Sequence, residues 1–357
     1  MAPRREDRTV TDNNSGDIII GVDTHKATHV AVAIDKNGAR LAAFSAAANS
    51  KGYSALEDWA CTLGCVVAFG IEGTGSYGAG LSRHLLAHGH TVVEVTRPHR
   101  QLRYQHGKSD SLDAEGAARS VLSGQAIATP KTQCGTVEMI RHLKIARDTA
   151  VKCRSQAMVT LKTLIINAPA ALRDTLDKIN GKIALIRHIA ALRPGAIIST
   201  IASAKAAMNA LARRWLMLHD EIKAHDKELE KLIAAKAPSL ITSHGIATMT
   251  AAEMLILIGD DPTRIRSEAA LAKLCGVCPI PASSGKTNRF RLNRGGNRQA
   301  NAALYRVAIV RMRNHAPTLA YVSKRTKEGK SKKEIIRCLK RYIVREIFSQ
   351  LCRPKTS

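Results

Sequence analysis

Aromatic side chains are scarce in this 357-residue chain: four Phe, six Tyr and two Trp, 3% of the total. Recognition built mainly on aromatic platforms for stacked bases is therefore not expected. Acidic residues are also few, 29 Asp and Glu against 55 Lys and Arg, for a formal net charge of +26. No run of about 18 apolar residues occurs, because His, Lys or Arg interrupts every candidate, and a membrane-spanning helix is excluded. The opening Met1-Ala-Pro-Arg-Arg-Glu-Asp-Arg8 lacks the apolar stretch of a secretory signal, so the cytosol is the expected compartment. The eight cysteines follow no pairing pattern, and reduced thiols are expected. Cys275-Gly-Val-Cys278 has zinc-ligand spacing but no second Cys or His pair at a finger-like distance, and its apolar neighbours favour packing.

What is present is a foldable chain with a lopsided field. A hydrophobic content of 45% over this length predicts two or three domains with real cores. Residues 17–129 balance ten basic against ten acidic groups, whereas residues 264–357 carry 23 against four, a net +19. Charge concentrated in one folded segment reads as a surface for a polyanion.

Hydrophobic patterning divides the chain. Residues 1–16 are polar. Apolar β-branched runs at 18–23, 30–34 and 66–71 predict strands, with a further strand at 91–95 and a tight turn at Asp35-Lys-Asn-Gly38 leading into 39–44. Helical spacing over 52–63 and 81–88 completes an α/β unit over 17–129. Long helical stretches fill 130–238, broken near Pro169 and Pro194, and 208–235 reads as one helix with a seam through Leu211, Trp215, Leu218, Ile222, His225, Leu229 and Leu232. An arm that pairs subunits and a buried intradomain helix both fit that seam. Residues 239–357 form a mainly α-helical basic unit, with a glycine-containing turn at 243–247 before a helix, a loop at 279–286, and basic helices over 298–314 and 331–351.

Two constellations could carry chemistry. Asp23 and Glu72 end strands, and Asp110 and Asp113 fall one helical turn apart if Ser109 caps a helix. Four converging carboxylates need a counter-charge, and one or two Mg²⁺ ions supply it in phosphodiester chemistry. In the loop, Ser283 and Ser284 precede Gly285 among Lys286, Arg289, Arg291, Arg294 and Arg298. A hydroxyl there could attack a phosphodiester, or could simply bind phosphate oxygens. His84, His88 and His90 read as solvent-facing residues near a helix end rather than a metal site, and Tyr305, Tyr321 and Tyr342 as packing residues.

Gly21-Val-Asp-Thr-His-Lys26, Gly70-Ile-Glu-Gly-Thr-Gly-Ser-Tyr77, Lys108-Ser-Asp-Ser-Leu-Asp-Ala-Glu115 and Cys275-Gly-Val-Cys-Pro-Ile-Pro-Ala-Ser-Ser-Gly-Lys286, followed by Arg291-Leu-Asn-Arg-Gly-Gly-Asn-Arg298, occur in that order. Together they resemble the DEDD transposases of insertion-sequence family 110. The resemblance implies an RNase H-like (RuvC-like) N-terminal domain, a coiled-coil arm and a C-terminal transposase domain. It implies Mg²⁺ held by Asp23, Glu72, Asp110 and Asp113, and a nucleophilic serine at Ser284, with Ser283 as the neighbour a one-residue shift would select. It further implies DNA as substrate, a bridge RNA as guide, dimers that pair into tetramers, and work at the bacterial nucleoid. The alternatives are a metal-dependent junction endonuclease with no covalent intermediate and a basic nucleic-acid-binding protein with no chemistry.

Overall fold

The computed structural model describes residues 16–96, 109–285 and 290–353, and the chain separates into two compact units, Met1–Gln133 and Cys134–Ser357. In the first, β1 (Asp17–Thr24), β2 (Thr28–Asp35) and β3 (Arg40–Ala47) form an antiparallel meander, followed by α1 (Ser50–Leu63), β4 (Cys65–Glu72), α2 (Ala79–Ala87), β5 (Val92–Val95) and α3 (Asp110–Leu122). The sheet order is β3-β2-β1-β4-β5, with β4 and β5 parallel to β1. The strands expected at 18–23, 30–34 and 66–71 are present, extended by one or two residues at their ends; the one expected at 91–95 starts one residue later, and the one expected from 39–44 runs from Arg40 to Ala47. The mixed α/β sheet accords with the RNase H-like expectation.

Strand alternation decides what each face meets. Ile18, Ile20 and Val22 of β1 and Phe69 and Ile71 of β4 pack with Leu56 and Ala60 of α1 and Leu81 and Leu85 of α2. Ile19 points the other way, onto Ala114 and Ala118 of α3, with Val32 and Ile34 of β2 beside it. The sheet is therefore covered on both faces, which is why β1 is buried along nearly its whole length.

The second unit opens with two long helices, α4 (Thr136–Ile166) and α7 (Thr200–Lys236), joined through α5 (Ala170–Asp177) and α6 (Lys182–Ala190). They run antiparallel: Arg147 Nε donates to Asp226 Oδ1 at 2.6 Å, and seven residues on, Arg154 Nη1 donates to His219 Nδ1 at 3.0 Å, seven residues back. Ala150, Leu218 and Ile222 fill the seam between these pairs. At one end Trp215, Met208 and Ala212 pack with Leu161, Leu172, Leu176 and Ile186, and the Trp215 ring carries Arg154 and Lys182 over it at 5.4 and 5.1 Å. At the other end Val137, Ile140, Leu229 and Ile233 enter the main core of the unit. Helix α7 begins eight residues before the expected 208, because Ala202 to Ala207 carry no large seam residue; the cap at Ser199, whose side chain accepts from Ala202 N, marks the true start.

That main core gathers α8 (Thr248–Ile258), α9 (Glu268–Leu274), α10 (Arg298–Asn314) and α12 (Lys332–Leu351), with α11 (Ala316–Lys327) alongside. Helix α11 was not expected; it starts on Ala316-Pro317, where proline stands in a first turn that needs no N–H. Buried Arg311 donates to the His244 carbonyl at 2.8 Å and, with both terminal nitrogens, to Glu346 at 2.7 and 2.9 Å. Hydrogen bonds from Arg311 hold the Glu346 carboxyl below its ordinary value. Such a lowered pKa contributes stability above the unfolded-state value and loses it as pH falls through the folded-state value. Glu346→Gln should cost about 2 kcal/mol at pH 7, the scale of a charge-assisted pair, and the gap to wild type should close in acid. Urea denaturation at pH 7 and pH 3 measures both. Among the described residues no helix is long and apolar enough to cross a membrane.

Candidate active site and nucleic-acid interface

Gly21 and Gly70 pair across β1 and β4 on the face that meets α3. A Cβ at Gly21 would run into the Ala114 carbonyl and the Ala118 amide, and one at Gly70 would lie 2.7 Å from Val121 Cγ2 and 3.1 Å from the Ala117 carbonyl. The two glycines form a slot in which α3 lies against the sheet backbone. Two residues further along each strand, on the same face, stand Asp23 and Glu72. One turn back along α3 from Ala114 and Ala117 stand Asp110 and Asp113. Two strand residues and one helical turn cover nearly equal distances, about 7 Å and 6 Å, so the four carboxylates arrive at one level. Ser109 caps the helix, its hydroxyl accepting from Leu112 N at 3.3 Å, and Thr24 Oγ1 donates to the Glu72 carbonyl at 2.8 Å, fastening the two strand ends together.

The electrostatics reflect the convergence. Burial pushes the Asp23 carboxyl above its ordinary value, and the charges of Glu72, Asp113 and Asp110 push it the same way; His25 opposes them. His25 Nε2 lies 3.3 Å from Asp23 Oδ2 and 3.3 Å from Asp110 Oδ1, so one imidazole spans both carboxylates. Sequence reasoning missed His25; its only signal was a titratable group two residues after a strand-terminal Asp. The nearby Glu115 is engaged elsewhere, with Arg119 at 2.7 Å and Arg40 at 3.6 Å. The donor set is dominated by carboxylate oxygens, which suits a hard cation such as Mg²⁺.

In the second unit β6 (Ile280–Pro281) and β7 (Phe290–Arg291) form a short antiparallel hairpin carrying Ser283 and Ser284, both exposed, with Gly285 at φ +54°. Its base is pinned to α9: Asn297 N donates to the Leu274 carbonyl at 2.7 Å, and Asn301 Nδ2 donates to the carbonyls of Cys275 and Gly276 at 2.9 and 3.0 Å. Lys340 Nζ in turn donates to Asn301 Oδ1 at 2.8 Å. Arg291, Arg294 and Arg298 are exposed, while Lys286 and Arg289 lie outside the described residues. Cys275 is buried, its thiol pushed up to about 12 by burial, and Cys278 is half-buried, as packing residues should be.

Two of the three tyrosines depart from expectation, whereas Tyr321 packs against the main core. Tyr305 and Tyr342 are exposed, because α10 and α12 turn those positions away from the core that Leu304, Ile343 and Val344 fill. Tyr342 meets Tyr321 edge to face at 5.4 Å, and both line a cavity of about 290 Å³ with Phe290, Arg291, Arg325 and Arg337. Arg325 and Arg345 lie over the Tyr321 and Tyr342 rings at 5.8 and 5.5 Å. An apolar floor with a cationic rim beside the serine hairpin suits a nucleotide. The histidines depart too. His84 and His90 are mostly buried, and both they and His88 are drawn onto Glu57.

Comparison with known proteins returns two family models in chain order. A transposase model of the DEDD type found in IS110 elements matches residues 20–166, and one described as "Transposase IS116/IS110/IS902 family" matches residues 237–323. An "Insertion element IS110 uncharacterized 43.6 kDa protein" of Streptomyces coelicolor is 28% identical over 144 residues, 40% of this chain. The chain spans about a third of the length of that curated relative, 35%. The first model takes in the whole carboxylate cluster and the second the serine hairpin.

Proposed function

Because the chain belongs to the IS116/IS110/IS902 family of transposases, we propose that it is a site-specific DNA recombinase that cuts and rejoins DNA of its own element, guided by a bridge RNA. The observation that carries this reading is the level convergence of Asp23, Glu72, Asp110 and Asp113 at the end of the glycine slot, in a chain whose other unit is strongly basic. These four residues hold Mg²⁺, which when bound polarises the scissile phosphate and offsets its charge.

The chain's own residues do the rest. Asp23 fixes the site at the buried end of β1, and His25 keeps Asp23 and Asp110 facing each other. Ser284 Oγ attacks phosphorus: the Oγ–P bond forms, the bond to one deoxyribose oxygen breaks, and that oxygen leaves as a hydroxyl carrying a proton. The phosphoserine link conserves the bond energy, so attack by another strand's hydroxyl rejoins DNA and frees the serine. Arg291, Arg294 and Arg298, with Lys286 and Arg289 in the same loop, neutralise phosphate charge on the strands being exchanged. The antiparallel pair α4–α7 serves as a coiled-coil arm through which chains form dimers, and dimers join as tetramers across two DNAs.

The test is direct. Full-length protein is incubated with Mg²⁺, the transcript flanking the element and joined-end DNA, then denatured, and any protein–DNA adduct is mapped by peptide mass. An adduct on Ser284, lost in Ser284→Ala and kept in Ser283→Ala, is the expected result. Cleaved DNA with no adduct under trapping conditions would replace this reading with a hydrolytic junction endonuclease, in which Ser284 only binds phosphate.

A further inference from the structure

Three histidines of the first unit converge on one carboxylate, on the helical layer opposite α3. Glu57 lies in the middle of α1; His84 belongs to the last turn of α2, His88 ends that helix, and His90 follows Gly89, whose φ of +84° turns the chain toward β5. His84 Nε2 and His88 Nδ1 lie 2.8 and 2.7 Å from the same oxygen, Glu57 Oε2, and His90 Nε2 lies 2.8 Å from Oε1. Side-chain exposure is 14% for Glu57, 16% for His84 and 19% for His90, against 51% for His88. Donor atoms of Glu57, His84 and His88 all fall within 4.8 Å of one another.

The Glu57 carboxylate offers about four acceptor sites, so it can take all three imidazoles, and His88, half exposed, also has water available as a partner. Yet His88 folds in beside His84, ring centroids 4.3 Å apart, to reach that oxygen. A cation at the common focus of two imidazole nitrogens and a carboxylate oxygen accounts for all three orientations.

We propose that Glu57, His84 and His88 form a binding site for a divalent transition-metal ion, Zn²⁺ by preference, with His90 fixing the second carboxylate oxygen. Two imidazoles and one carboxylate make a three-ligand zinc set, with the fourth position open to solvent on the His88 side. Imidazole ligands select zinc and its first-row neighbours over Mg²⁺, so this site and the carboxylate cluster take different ions. Its ligands are 27 and 31 residues apart in sequence, on α1 and at the end of α2. Bound metal therefore staples the two helices over their face of the sheet, a structural role separate from strand cleavage.

The test uses the full chain, stripped of metal and carrying Asp23→Asn and Asp110→Asn, which disable the other group of donors around His25. Zn²⁺ is titrated against a chromogenic chelator. One ion per chain is expected. His88→Ala, at a half-exposed position that leaves the fold intact, should weaken binding about a hundredfold, and His90→Ala about tenfold, as loss of an orienting partner does. Zn²⁺ at a hundred times its Kd should raise the Tm of the parent by about 5 °C or more and that of His88→Ala by little. On unsubstituted protein, X-ray absorption at the zinc edge should show imidazole scattering from two histidines. No stoichiometric uptake, uptake unchanged by His88→Ala, or an edge spectrum without histidine would each overturn the proposal.

Discussion

Asp23→Asn is expected to lower DNA cleavage on the order of a thousandfold while making the protein more stable in the absence of divalent cation. The two effects share one origin. Asp23 is buried, and its carboxyl is pushed up by desolvation and by Glu72, Asp113 and Asp110, relieved only in part by His25. A carboxyl raised in the folded state costs stability wherever it is ionised; the cost is full above the folded-state value and fades as pH falls toward 3.8, its unfolded value. Asparagine keeps the shape and removes the charge, so the variant should melt higher than wild type at pH 7 in EDTA, with the difference shrinking in acid. Added Mg²⁺ should raise the Tm of wild type and leave that of the variant nearly unchanged. Thermal melts over pH 4–8, paired with cleavage assays, would decide; a variant that cleaves normally, or melts lower at pH 7, contradicts the assignment.

The second large effect comes from a residue with no functional group. Gly21→Val should destabilise the protein by about 3 kcal/mol or more and abolish cleavage, although no charged residue is touched. The side chain would collide with backbone atoms of Ala114 and Ala118, which cannot rotate aside, so α3 must lift from the sheet. Lifting α3 withdraws Asp110 and Asp113 from Asp23 and Glu72. Gly70→Ala should be milder, since the nearest atom is the Val121 side chain, which can turn away, with the Ala117 carbonyl next at 3.1 Å. Urea denaturation and protease sensitivity around α3 measure the displacement. Equal stability in Gly21→Val and wild type would show that α3 does not depend on the slot.

Much of this was legible in the sequence because the signals are local. A β-branched run that ends on a carboxylate shows where Asp23 and Glu72 stand, and Ser109 with Asp110 and Asp113 is a helix start that the cap hydrogen bond bears out. What stayed hidden depends on register between distant segments. Gly21 and Gly70 look like weak points in their strands until the pairing aligns them. His84, His88 and His90 looked solvent-facing because Glu57, which gathers them, lies 27 to 33 residues earlier. The early start of α7 was masked by alanines, which satisfy helix formation without marking a face. Tyr342 was misjudged since helical spacing alone does not say which side of α12 meets the core.

The antiparallel pairing of α4 with α7 has a consequence for how long this part of the molecule can be. Its 31 and 37 residues correspond to rods of about 46 and 55 Å, anchored at one end in the core of their unit. Arg147–Asp226 and Arg154–His219 recur at a step of seven, the interval after which a helix returns nearly the same side to its neighbour. Each residue added or removed off that step swings everything beyond it by about 100°, whereas a whole step moves the tip by about 10 Å and leaves its heading almost unchanged. The rod is thus a ruler graduated in sevens, and relatives with longer or shorter versions should differ from this chain by whole graduations.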